Sequence, residues 1–130
     1  MITVDYRDRR PLYQQLIDNI EALIAGGLLE PDQQLPSVRQ LAVELAINPN
    51  TIQRAYAELE NRGAVYTVPG RGSFVCSSTK ELTKIKHDEL WQRLDSLIND
   101  ADEMGITEPE FVQKVHDRWT MLPEKRGAKA

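Results

Sequence analysis

Apolar residues recur every three to four positions in five stretches of the chain, and a short run of strand formers interrupts them. After Pro11, which suits a first helical turn, Leu12, Leu16, Ile20, Leu23 and Ile24 mark one face of an amphipathic helix. Tyr13 and Ile17 widen that face, and Gly26-Gly27 ends it. The run "LLEPDQQLP" reads as a loop. Ser37 then has the position of an N-cap, with Gln40 at the capping-box position. Val38, Leu41, Ala42 and Leu45 give a short second helix its buried face, and that helix stops near Ala46-Ile47. Asn48 is placed to cap a third helix whose first position is Pro49. Ile52, Ala55, Tyr56 and Leu59 point inward along it, and Gly63 closes it.

The strand formers follow. Val65 to Val68 and Ser73 to Cys76 flank the turn signal "PGRG", which predicts a β-hairpin with a basic, glycine-rich tip. After the polar linker "SSTK", helical spacing resumes through Leu82, Ile85, Leu90, Leu94, Leu97, Ala101 and Met104. From Leu90 it alternates four and three, as in a coiled-coil seam, with Trp91 and Ile98 beside it. Gly105 is a C-cap, and Thr107 with Glu110 predicts a capping box, with Pro109 in the first turn. Phe111, Val112, Val115, Trp119 and Leu122 face one side of a last helix. The final "PEKRGAKA" is expected to fray.

The expected fold is therefore mainly α with a small β-hairpin. A winged helix-turn-helix domain over 10–78 is followed by a short C-terminal two-helix dimerisation segment over 79–122, then a flexible tail over 123–130. The order helix, helix, tight turn, helix, hairpin matters because of how DNA is read. An α-helix fits the major groove, and its N-terminal residues reach base edges. The helix opening at Asn48 offers Asn50, Thr51, Gln53 and Arg54 in its first two turns. Asn and Gln pair with adenine, Arg with guanine or phosphate, and Thr with phosphate or a thymine methyl. At the hairpin tip Arg71 stands between Gly70 and Gly72, where bare backbone approaches a groove closely and arginine suits a narrow minor groove.

Charge refines this picture without overturning it. The 130 residues carry a net charge of -4, which argues against non-specific coating of nucleic acid. Residues 33–80 hold five basic side chains against three acidic ones, whereas 81–130 hold eight against eleven. The single cysteine, Cys76, excludes an intrachain disulfide and fits a reducing, cytoplasmic setting. No signal peptide and no apolar run of roughly 18 residues is present, so no membrane role is expected.

The run from "PLYQQL" through "LPSVRQLA" and "NPNTIQRAY" to "GRGSFV", residues 11–75, resembles the N-terminal DNA-binding domain of the GntR family of bacterial transcription regulators. The short remainder resembles the YtrA-like subfamily, whose C-terminal helix pair serves dimerisation. The resemblance implies that Arg39 contacts the operator, and that Asn50 and Thr51 contact phosphate or bases. It places Gln53 where other members often carry a contacting arginine, and Gly70, Arg71 and Gly72 at the wing tip. It gives Ser37 capping and phosphate contact together. Where Pro49 stands, many members have a DNA-contacting arginine, and that contact does not carry over. The resemblance also implies control of nearby transporter genes by a small-molecule effector of unknown identity.

The expected function is a homodimeric regulator, a repressor acting on a palindromic double-stranded DNA operator. Leu90, Trp91, Leu94, Leu97, Ile98, Ala101 and Trp119 are the expected dimer interface, since two helices alone are too few to fold without a partner. Two alternatives come from other classes. One is a winged-helix protein-interaction module without DNA binding. The other is a ligand or metal sensor using the helical tail. Cys76, His87 and His116 match no metal motif, and no cofactor is expected. No phosphate loop, zinc motif or serine elbow marks an enzyme.

Overall fold

The computed structural model of the protein describes residues 1–123. Residues 124–130, most of the expected tail, lie outside the described residues. In chain order the elements are α1 (Leu12–Ala25), α2 (Val38–Leu45), α3 (Pro49–Asn61), β1 (Val65–Val68), β2 (Gly72–Val75), α4 (Lys80–Glu103) and α5 (Glu108–Met121). The chain forms two compact units, Met1–His87 and Asp88 onward, and the division falls inside α4.

The local signals of the first unit act as their chemistry dictates. Ser37 Oγ accepts from the Gln40 N–H at 3.0 Å, and Gln40 Oε1 accepts from the Ser37 N–H at 2.9 Å. Both halves of the capping box therefore form, each satisfying a backbone donor that the helix leaves open. Asn48 Oδ1 accepts from the Asn50 N–H at 2.8 Å, with Pro49 at the first helical position. Helix α2 ends on Ala46, whose φ of 55° is left-handed, and the Ile47 N–H closes back on the Ala42 carbonyl at 3.1 Å. This is a glycine geometry occupied by alanine.

The core lies between α1, α2, α3 and the hairpin. Leu16, Ile17, Ile20, Leu41, Ile52, Leu59 and Val75 are wholly enclosed. Ile2, Leu29 and Leu35 join them from segments without helical spacing. The hairpin is antiparallel, in the register Val65↔Val75, Tyr66↔Phe74, Thr67↔Ser73 and Val68↔Gly72. Its second strand begins one residue earlier than the sequence pattern predicts and ends at Val75, because Gly72 pairs with Val68 as soon as the turn is complete. Tyr66 and Phe74 stack, ring centroids 5.5 Å apart.

The stretch before α2 is more than the loop expected of it. The Leu35 N–H donates to the Ser73 carbonyl and the Val75 N–H to the Gln33 carbonyl, both at 2.8 Å. Residues 33–35 thus extend the hairpin edge by a bridge centred on Gln34 and Phe74. Two polar residues on α1, Gln15 and Glu21, are buried. Gln15 accepts from the Asp5 N–H at 2.8 Å and donates to the Arg10 carbonyl at 3.0 Å, which fixes the N-terminal segment. Glu21 binds Arg62 Nη1 at 3.1 Å and Lys86 Nζ at 2.8 Å.

In the second unit, the C-terminal part of α4 and all of α5 carry the expected apolar stripes, exposed in the single chain. Leu90, Trp91, Leu97, Ile98, Val112, Val115 and Trp119 are exposed, Leu94 is half-buried, and Ala101 is buried. Thr107 caps α5 through the Glu110 N–H at 3.5 Å, but only this half of the expected capping box forms. Glu110 sits at the third helical position, but its carboxylate makes no return bond to Thr107. No helix among the described residues is long and apolar enough to cross a membrane.

Candidate nucleic-acid interface

Helix α3 has two faces. Ile52, Ala55, Tyr56 and Leu59 are buried, and Asn50, Gln53, Arg54 and Ala57 are exposed on the other side. Thr51 lies between them and is half-buried. The inner face is anchored by Tyr56, whose hydroxyl donates to the Pro36 carbonyl at 2.7 Å. Burial pushes the Tyr56 pKa up, and the nearby Glu44 carboxylate pushes it the same way, so the phenol stays a neutral donor. That bond joins the middle of α3 to the residue preceding the α2 cap. The inner face of α3 is thus tied to the approach to α2 by a contact that periodicity cannot reveal.

The wing is held as firmly. Pro69 and Gly70 fill the two central positions of a turn closed by the Arg71 N–H on the Val68 carbonyl at 2.9 Å. Gly70 has φ of 79°, which a side chain disfavours there. Gln34 Nε2 donates to the Arg71 carbonyl at 2.7 Å, and a Cβ on Gly72 would sit 3.2 Å from that same nitrogen. Gly72 is thus favoured by its φ of 118°, and a side chain there would also press on the Gln34 amide. At the hairpin base, Asp32 accepts from Ser77 at 2.7 Å and from Tyr66 at 2.9 Å, and these bonds hold its carboxyl below the usual range.

The expected residues meet in part. Ser37, Arg71 and Gly72 line one open cavity of about 510 Å³, together with Gln34, Gln40 and Glu44 over an apolar floor of Ile2, Leu29 and Leu41. This brings the start of α2 and the wing tip to a shared surface. Ser37 commits a lone pair to the cap and keeps a hydroxyl proton to donate. Arg39 in the first turn of α2 and Arg71 at the wing are exposed, and neither makes an ion pair among the described residues. Arg54 differs, because its guanidinium carbon lies 3.6 Å from the centroid of the Tyr13 ring, a cation–π contact that holds it against α1.

Sequence patterns missed the N-terminal segment. Tyr6 donates through its hydroxyl to the Leu45 carbonyl at 2.9 Å, so it satisfies the end of α2 just before the helix-turn-helix corner. With Tyr13 stacked on Arg54, residues 7–12 run between two anchors, one at the end of α2 and one on α3. Arg10 in this span is tied to Asp8 and Asp18, whereas Arg7 and Arg9 are exposed and form no ion pair among the described residues. The only sequence signal was the density of arginines in "YRDRR". Cys76 is half-buried, its thiol pKa raised by burial, and it donates to the Ser78 carbonyl at 3.3 Å, which is the behaviour of an inert thiol. Among the described residues no group of three His, Cys, Asp or Glu side chains could hold a metal ion.

The profile of "Bacterial regulatory proteins, gntR family" matches residues 12–75, the span from α1 through β2. Over 118 residues the chain is 36% identical to the HTH-type transcriptional repressor YtrA of Bacillus subtilis, covering 90% of this chain and 88% of that protein. The chain belongs to the gntR family of bacterial regulatory proteins. Among solved structures, a GntR family transcriptional regulator from Listeria monocytogenes superimposes with a TM-score of 0.73 at 34% identity, over 85% of this chain and 96% of that one. AraR(DBD), solved in complex with an operator, matches 58% of this chain and 93% of its own, with a TM-score of 0.50 and 29% identity. Members of this family are regulators rather than enzymes. The similarity to YtrA extends beyond the residues of the family match, along 90% of this chain.

Proposed function

We propose that this chain is a sequence-specific DNA-binding transcriptional repressor that acts in the cytoplasm as a homodimer on a palindromic operator. One observation carries the reading. The outer face of α3, opening at the Asn48 cap, presents Asn50 and Gln53, while Arg39 and Arg71 stand exposed on α2 and the wing. A helix with amides at its open N-terminal end and flanking cations suits a major groove bordered by phosphates. Similarity to a repressor and to a domain bound to an operator supports it. In this reading α3 enters the major groove, and Gly70, Arg71 and Gly72 meet the adjacent minor groove. Ser37, Arg39 and Thr51 hold the backbone, while Arg54 supports the face from its stack on Tyr13.

The domains follow as 10–78 for DNA and 79–122 for dimerisation. The exposed residues Leu90, Trp91, Leu97, Ile98 and Trp119, with half-buried Leu94, form the interface. Ala101, also expected at this interface, is already buried within the single chain and offers it little surface. Two copies related by a two-fold axis impose a symmetric site with half-sites about one helical turn apart. The test is selection of bound sequences from random DNA with the purified protein, then titration of salt. A palindrome should emerge. Arg39→Ala and Arg71→Ala should each weaken binding. For each phosphate no longer neutralised, the slope of log K against log salt should become shallower by about 0.9. Enrichment of no sequence would defeat the reading.

A further inference from the structure

The reading face of α3 carries amides and a methyl group but no free guanidinium. Asn50, Gln53 and Ala57 are exposed, and their spacing of three and four residues sets them on one stripe. The Asn48 side chain is committed to the cap, so it does not reach outward. The helix's own arginine and the one that ends it are also engaged. Arg54 lies over the Tyr13 ring at 3.6 Å, and Arg62 at the far end binds Glu21 and Glu58. Glu60 and Asn61 share the outer side but belong to the last turn, remote from the end that enters a groove.

Base edges discriminate strongly between these groups. In the major groove adenine offers N7 as acceptor and N6 as donor, which a carboxamide matches with both of its atoms. Guanine offers two acceptors, O6 and N7, so a carboxamide satisfies one and turns its own oxygen against the other. Two acceptors call for arginine or lysine, and here the arginine of the helix is withheld by Tyr13. Ala57 adds a methyl at the third turn, the partner of a thymine C5-methyl group.

We infer that the operator base pairs read directly by α3 are A·T pairs, with Gln53 on an adenine, Ala57 on a thymine methyl, and Tyr13 excluding guanine by holding Arg54 off the groove. Any guanine in the half-site is then read from α2 by Arg39 or lies outside the α3 footprint. The inference rests on the DNA-binding reading above and goes further by fixing the base class.

The test uses the full-length protein and sequences selected from random duplexes. Selection is run in parallel with wild type, Gln53→Ala and Gln53→Arg. With Gln53→Ala, preference should relax at one symmetric pair of positions, and those positions should be A·T in the wild-type site. Affinity for that site should fall roughly 5- to 150-fold, the range of one bidentate contact. Gln53→Arg should move the same positions to G·C. Replacing thymine by deoxyuridine next to them should weaken the wild type and leave Ala57→Ser indifferent. Tyr13→Ala should admit G·C beneath Arg54. Relaxation at G·C positions, or at none, overturns the inference while DNA binding stands. Failure to select any sequence instead defeats the DNA-binding reading itself.

Discussion

The two compact units present the same apolar periodicity and put it to opposite uses. In Met1–His87 the stripes of α1, α2 and α3 face one another and the hairpin, and Leu16, Ile20, Ile52 and Leu59 have no exposure left. From Asp88 onward the stripes of α4 and α5 remain in the open, with Trp91 57% and Trp119 73% exposed. A unit of two helices has too few elements to cover an apolar stripe with its own chain. A spacing of three and four therefore identifies an amphipathic helix without saying what covers it. The first unit is finished by folding, and the second is finished by a partner in the reading proposed above.

The largest expected effect breaks the finished side. Leu59→Ala removes a wholly enclosed side chain and should lower unfolding free energy by about 2–5 kcal/mol, read from urea denaturation of the intact chain. Trp119→Ala removes a larger side chain, yet in dilute solution it should move the same midpoint far less. On the open side the effect belongs to association. Trp91→Ala should weaken the dimer by about 2 kcal/mol, roughly 30-fold in its dissociation constant, measured by sedimentation equilibrium. A wild-type chain that stays monomeric at every concentration would remove the proposed interface and leave the contrast between the units unexplained.

Much of this was legible in the residues. Ser37 with Gln40, Asn48 with Pro49, and Gly63 announced their helix ends because a cap needs only neighbours within four positions. The hairpin turn at Pro69-Gly70 was legible for the same reason. What could not be read joins residues far apart in the chain. Nothing near Gln33 or Leu35 signals that their backbone bonds belong to Ser73 and Val75. Nothing in the pattern signals the burial of Gln15 and Glu21, because their partners Asp5, Arg62 and Lys86 are distant in sequence or lie off the helix. In the candidate interface, the exposure of Asn50, Gln53 and Arg71 was legible from residue type and spacing. The stacking of Arg54 on Tyr13 depends on how α1 packs against α3.

Glu21 sharpens the comparison from inside the first unit. Its carboxylate is buried, and it joins three helices by meeting Arg62 just past α3 and Lys86 in the second turn of α4. Glu21→Gln keeps the shape and removes the charge. Breaking a fully buried pair costs about 3–5 kcal/mol, but the Arg62 side chain is 39% exposed and can turn to water. The expected loss is therefore smaller, about 1–3 kcal/mol. Hydrogen exchange should show it first at α4 residues 82–86, since the ion pair with Lys86 and the half-buried Leu82 tie this turn to the core.

The smallest effect has the opposite sign. Helix α3 lies between two left-handed residues, Ala46 at φ 55° and Gly63 at φ 77°. Both take a helix end through the same turn, but only one is a residue suited to it. A left-handed alanine costs about 1–2 kcal/mol, and part of that is offset because alanine loses less chain entropy than glycine on folding. Ala46→Gly should therefore stabilise the chain by about 0.5–1 kcal/mol, and Gly63→Ala should destabilise it by about 1 kcal/mol or more. A Cβ at Gly63 meets nothing within 4 Å, so the second loss is backbone strain alone. Urea midpoints of the two variants test the signs. Only the first unit, with its closed core, can hold such strain at the corner between α2 and α3. If Ala46→Gly gains stability and operator affinity falls, the alanine serves to stiffen that corner. If stability falls instead, Ala46 carries no strain that glycine relieves.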